Sequence, residues 1–279
     1  MRSSSALSSL LSLSTGPAHS SALARPDLPG GHVNAPSVLV NLRDVGHLAG
    51  APLYRSAQPY GLAAEALAGL AAELGLRTVI DLRSPAEQTA VPWPPLPDGV
   101  RVHSIPIGAT ATTLETIAEI TGPADMARMY ARMARGSAAE LVTIVRLLSE
   151  GPALVHCAAG KDRTGVVIAV VLSLLGIDPQ RISEEYALTE AAMPTIRAWA
   201  LDRRSPSDGP SDGAAFPEAP KALTDTADLS GFPDVLMRAP AETMLAFLAE
   251  VGDVHDLLTA HGLTDDDLAA LRATFAPAA

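Results

Sequence analysis

Cys157 and Arg163 stand six positions apart in the stretch HCAAGKDRTG, His156 to Gly165. A loop of that length can curl until the guanidinium faces the sulfur. A thiolate is the nucleophile cysteine offers at neutral pH. A planar guanidinium grips two oxygens of a phosphoryl group. These residue types fit in-line attack of Cys157 on phosphorus, with a phosphocysteine formed on the way. Gly160 permits the backbone conformations of an anion cradle, and positive surroundings favour the thiolate. Thr164 can donate its hydroxyl to the sulfur, and His156 is expected to pack behind the loop. Ala158, Ala159, Gly160, Lys161, Thr164 and Gly165 are the candidate phosphate-binding positions. Lys161 adds a second charge, which would suit a substrate with more than one phosphate; a loop-stabilising lysine explains the same residue. No metal or cofactor is called for, because the loop itself supplies positive charge. This is not the nucleotide-binding G-x-x-x-x-G-K-[ST] loop, since the first glycine is missing and Lys161 is followed by Asp162.

A loop becomes an anion site when a buried strand delivers it and a helix N-terminus receives it. The flanks meet that condition. GPALVHC reads as a buried strand, Ala153 to His156, and TGVVIAVVLSLLG as an apolar core helix ending at Gly176. Further strands are expected at Val38–Val40, at Thr78–Leu82 and in VRVHSIPI, with the proline cluster VPWPPLPDG a loop between the last two. Helices are expected over Leu62–Gly75, Thr113–Ile120, Ala124–Arg135 and Ser137–Ser149. Others should begin after the Asp178 cap, at AETMLAFLAEVG and after Thr264. Strands alternating with helices predict an α/β fold, a central sheet flanked by helices, closed by a C-terminal helical section. Residues 1–36 read as a flexible Ser/Ala/Leu leader. Residues 37–279 read as one domain, with a Pro/Gly/Ser-rich insertion at about 203–231.

The chain has 279 residues, of which 48% are hydrophobic, enough for a sizeable core. A net charge of -11 argues against a nucleic-acid partner, which needs a basic face. No stretch is apolar for long enough to insert stably in a membrane. A single cysteine excludes an internal disulfide and suits a reducing compartment, so a cytoplasmic location is expected, with export through the leader as the alternative. Nothing in the sequence specifies an oligomeric state.

HCAAGKDRTG resembles the signature of cysteine-dependent protein tyrosine phosphatases, and GKDRTG is similar to an atypical bacterial subgroup, the mycobacterial tyrosine phosphatase B type. NLRDVGHL (Asn41 to Leu48), LYRSAQP (Leu53 to Pro59) and DLRSPAE (Asp81 to Glu87) resemble segments of that subgroup in the same order, and EEYALTE and HGLTDDDLAALR its closing helices. Leu42 and His47 depart from the subgroup's Phe and Gly. The resemblance spans about residues 38–275, the Pro/Gly/Ser-rich linker excepted, and implies a tyrosine-phosphatase-like sheet. It also implies hydrolysis of phosphotyrosine in proteins, with phosphoserine, phosphothreonine or phosphoinositides as further substrates. Two alternatives stand beside it: a catalytically weak phosphate-binding signalling module, and a rhodanese-type sulfurtransferase.

Departure of the leaving group needs an acid within reach, and no Trp-Pro-Asp is present. Asp162 lies in the loop itself, Asp81 ends a strand at the face where active-site groups gather, and Asp98 sits in VPWPPLPDG. The resemblance and geometry favour Asp162 over Asp81. An ion pair orienting Arg163 or Lys161 is the structural alternative for Asp162, and a partnership with Arg83 or Arg55 that for Asp81. Arg55 is expected to line the pocket. Asn41 to Asp44 is expected mainly to fix the entry loop.

Overall fold

A computed structural model describes residues 39–108, 120–202 and 234–275. The leader, the helix expected at Thr113–Ile120 (all but Ile120) and the insertion at about 203–231 lie outside the described residues.

Five strands form one mixed sheet in the order β1-β2-β5-β3-β4. They are β1 (Arg43–Asp44), β2 (Leu53–Ser56), β3 (Thr78–Asp81), β4 (Arg101–Ser104) and β5 (Ala153–His156). β1 runs antiparallel to β2, and all the other neighbours are parallel. The register puts Ser56 and Asp81 beside His156, and Ser104 beside Asp81. Four strands therefore end at one edge of the sheet, and the loop that follows His156 emerges from its middle.

Side chains alternate between the two faces of a strand, and in β2, β3 and β5 both faces are buried, whereas edge strand β4 is largely exposed. Leu53, Ile80 and Val155 face the larger core. Tyr54, Val79 and Leu154 face a smaller one, closed by Leu67, Leu70, Ala71 and Leu74. Those four belong to α2 (Ala64–Glu73) and its cap, and Gly75 at φ 61° ends the helix. The larger core is built on α6 (Asp162–Leu174), which α4 (Pro123–Gly136), α5 (Ala138–Leu148) and α7 (Pro179–Ala187) surround. From Thr164 to Leu172 every residue of α6 is buried, the pattern of a central helix. α9 (Ala241–Val251) packs against α4 and α7, and α10 (Val254–Thr259) and α11 (Asp265–Phe275) close the α5 side. The remaining helices are α1 (Gly46–Ala49), α3 (Pro85–Ala90) and α8 (Met193–Asp202), with 3-10 turns at Leu188–Ala192 and Asp234–Met237. This is the expected α/β architecture with a helical C-terminal section.

Several local readings are corrected. Leu39 to Asn41 form a turn, not part of a strand; Asn41 takes φ 61°, and pairing begins only at Arg43. β2 was not expected as a strand, because LYRS carries two polar residues that the sheet nevertheless buries. α3 follows DLR through a capping box, Ser84 with Glu87, inside a motif that periodicity does not mark. α10 is a short helix capped by Asp253 and also escaped the pattern.

Candidate active site

His156 ends β5 with no exposed surface, and Cys157 opens the loop at 2% exposure. Gly160 turns the loop at φ 68°, and its backbone lies so close to β2 that a Cβ there would stand 2.4 Å from the Ser56 carbonyl oxygen. Only glycine meets both demands. α6 starts at Asp162 without a side-chain cap, so its first amides are left to the loop.

The loop is held from behind by its carbonyls. Asn41 Nδ2 donates to the Ala159 and Gly160 oxygens at 3.2 and 3.0 Å, and Gln58 N donates to the Ala158 oxygen at 3.1 Å. Arg55 was expected to line the pocket. It is instead fully buried, donating to the Gly160 oxygen at 2.6 Å and pairing with Glu185 at 2.6 Å. Arg43 reaches the other Glu185 oxygen at 2.7 Å and also donates to Asn41 and Thr189. Burial alone would raise the Glu185 pKa, but the two guanidiniums hold it below the ordinary range. Asn41 and Arg43 of the NLRD stretch thus buttress the phosphate loop, whereas the sequence pointed only to the entry loop. Buried Glu185 completes the buttress; EEYALTE marked its segment as a closing helix but gave it no role.

Asp81 is corrected as a substrate-facing residue. Both its oxygens are taken by the Arg83 guanidinium, at 2.9 and 2.7 Å, and it is 2% exposed. Burial would raise its pKa, but the Arg83 hydrogen bonds and nearby charge lower it. A carboxylate held in its ionised form is a poor proton donor at neutral pH. Asp98 is exposed and precedes β4, at the sheet edge opposite the loop.

Arg163 is clamped. Its two terminal nitrogens donate to the two Glu87 oxygens at 2.6 Å each. Burial would raise the Glu87 pKa, yet Arg163 and Ser84 bring it down to about 2. Glu87 is fixed independently, since its Oε2 accepts from Ser84 N at 2.8 Å in the α3 capping box. Arg163 lies near enough to Cys157 for their charges to interact. The S-x-x-E of SPAE was the one signal that could have singled out Glu87.

Trp93 supplies another unexpected contact. Its indole N–H donates to His156 Nε2 at 2.8 Å, so the ring proton sits on Nδ1, which donates to the Cys157 carbonyl at 3.1 Å. Burial brings the His156 pKa down to about 4. The ring is neutral at pH 7, and its 3.6 Å approach to Asp81 is not an ion pair there. His156 fixes the loop from behind, as expected.

Asp162 is the loop's partly exposed carboxylate, with 36% of its side chain accessible. Its Oδ1 accepts from the Tyr130 hydroxyl at 2.5 Å and stands 3.3 Å from Lys161 Nζ. Lys161 does not offer a free charge to a second phosphate: its side chain is 1% exposed, and Nζ donates to the Leu236 carbonyl at 2.6 Å. Thr164 Oγ1 is buried without a hydrogen-bond partner among the described residues, so the expected donation to sulfur is not made. Gly165 is packed against the Tyr186 ring, 3.0 Å from where a Cβ would sit. The site therefore joins a buried thiol, a clamped guanidinium, open amides and one accessible carboxylate, which together can carry displacement at phosphorus.

Comparison with known proteins agrees with this chemistry. The tyrosine phosphatase family matches residues 36–276. The triple specificity protein phosphatase PtpB of Mycobacterium tuberculosis is 31% identical over 192 residues, covering 57% of this chain and 69% of that protein. A Cupriavidus necator protein named as a tyrosine-protein phosphatase is 28% identical over 234 residues, 77% of this chain and 81% of its own. The crystal structure of TpbA from P. aeruginosa aligns with 53% of this chain and 80% of its own, at 24% identity and a TM-score of 0.31.

Proposed function

The chain belongs to the tyrosine phosphatase family, and on that premise we propose that it hydrolyses phosphotyrosine monoesters in proteins through a phosphocysteine at Cys157. The observation that carries this reading is the Arg163–Glu87 clamp beside Cys157. It holds a permanent cation where the phosphoryl oxygens must lie.

The Cys157 thiolate forms the S–P bond as the P–O bond to the phenol breaks. Arg163 and the amides from Ala158 to Thr164 bind the three equatorial oxygens, the Gly165 N–H being already given to the Lys161 carbonyl at 2.7 Å, and Thr164 Oγ1 can donate to the sulfur as the thiolate re-forms. Asp162 gives its proton to the departing oxygen. As a carboxylate it then takes a proton from the water that cleaves the S–P bond, releasing phosphate and restoring the thiolate. Asn41, Arg43, Arg55 and Glu185 keep the loop curled throughout.

Phosphoserine, phosphothreonine and phosphoinositides belong to the same proposal, supported by the triple specificity in the relative's name. Lys161 is buried beneath Leu236, so any second phosphate would need another cation or a displaced Leu236 segment. A cytoplasmic location fits the sole, nucleophilic cysteine, and no described helix is long and apolar enough to cross a membrane. Neither a binding-only module nor a sulfurtransferase accounts for the clamp together with an accessible loop carboxylate. Cys157→Ser should abolish turnover of p-nitrophenyl phosphate while orthovanadate still binds. Residual turnover equal to wild type would remove the thiolate mechanism.

A further inference from the structure

We propose that Tyr130 is the positioning residue of the acid: its hydroxyl holds Asp162 Oδ1 inward and leaves Oδ2 to carry the proton to the leaving group. This rests on the reading of Asp162 as that acid. Oδ1 receives the Tyr130 hydroxyl at 2.5 Å and faces Lys161 Nζ at 3.3 Å, whereas Oδ2 has no partner among the described residues. One oxygen is thus anchored, and its twin, on a side chain 36% accessible, is left unanchored.

The anchor is built to stay. Tyr130 is fully buried in α4, its ring set edge-on against Tyr186 of α7 and Phe247 of α9 at 6.3 and 6.1 Å. Its one proton goes to the carboxylate, so the Tyr186 hydroxyl, 2.9 Å away, donates to the Tyr130 oxygen. Burial first, and then Asp162, keep both phenols protonated far above neutral pH. Gly165 has no side chain where the Tyr186 ring lies, and this lets the relay approach the loop. Tyr130, Tyr186, Lys161 and Arg163 are the groups whose charge or hydroxyl faces Asp162. A donor on Oδ1 serves the reaction in a second way, since it stabilises the carboxylate that appears as the proton leaves.

The experiment compares kcat/KM, which reports the step in which the leaving group departs, on phenyl phosphate and on 2,4-dinitrophenyl phosphate. The second leaving group departs without a proton. Tyr130→Phe should lower kcat/KM on phenyl phosphate about tenfold or more and change it less than about twofold on the dinitrophenyl ester. Asp162→Asn should show the same selectivity with a loss of about a hundredfold. Equal losses on both substrates in Tyr130→Phe would make the tyrosine merely structural and overturn the proposal. If Asp162→Asn itself shows no selectivity, the acid assignment has failed instead. Should Tyr130→Phe not fold, Tyr186→Phe decides: it strips the donor from the Tyr130 oxygen and should lose a few-fold on phenyl phosphate alone, and no selective loss would overturn the relay.

Discussion

In the proposed mechanism Arg163 grips phosphate only while its fork is aimed, and Glu87 holds that fork. Two 2.6 Å bonds fix both terminal nitrogens, and the carboxylate is itself tied to Ser84 N. Glu87→Ala should leave Arg163 charged but unaimed, lowering kcat/KM on p-nitrophenyl phosphate roughly a hundredfold, the scale of an ångström-sized misplacement. Glu87→Gln keeps one acceptor and should lose less. Wild-type kinetics for Glu87→Ala would show that the guanidinium needs no clamp. The residues proposed to do the chemistry are readable because Cys157, Gly160 and Arg163 sit in ten consecutive positions whose spacing has a physical meaning. Their supports come from far along the chain: Glu87 is 76 positions from Arg163, and Glu185 is 130 from Arg55. A charged residue buried by such a distant partner has the same letter as a surface one, which is why Arg55 reads from sequence as a pocket residue.

The elements that were legible are those whose own pattern suffices. β5 and α6 are continuous apolar runs, and α7 announces itself by Asp178 and Pro179 at its start. β2 and α3 were not legible, because their form is imposed by neighbours: β2 takes buried Arg55 and Ser56 to brace the loop. The loop and β2 are in fact one unit at Gly160, where the Ser56 carbonyl touches the glycine backbone. Gly160→Ala should cost about 1–2 kcal/mol for the left-handed backbone alone. The contact with backbone, which cannot swing aside, adds to that. Thermal unfolding should shift down by several degrees, and phosphate binding should fall with it as the cradle opens. An alanine variant with unchanged melting and unchanged vanadate affinity would disprove this tight joint.

Across the whole molecule, buried titratable groups set how the fold responds to acid. His156, Glu87, Asp81 and Glu185 all hold protons less readily in the fold than in the open chain. Each therefore adds stability that is present at high pH and lost as pH falls. His156 acts first: its contribution is complete above 6.5 and fades towards about 4. Glu87 follows, fading from 4.5 towards about 2. For His156 the full difference is worth about 3 kcal/mol, of which about 2 kcal/mol is gone at pH 5. Urea unfolding at pH 7.5 and at pH 5 should show that loss in wild type. His156→Gln, less stable at the outset, should show a much smaller difference between the two. A wild-type midpoint that does not move between these pH values would refute the account. The same protonation has a local consequence. A proton on Nε2 meets the Trp93 N–H, a donor facing a donor, and finds its acceptor in Asp81 Oδ1 at 3.6 Å. The ring must then turn away from Trp93, and with it goes the Nδ1–H that holds the Cys157 carbonyl. Trp93 fluorescence should therefore change over the same acid range in which the fold weakens, and it should not do so in His156→Gln.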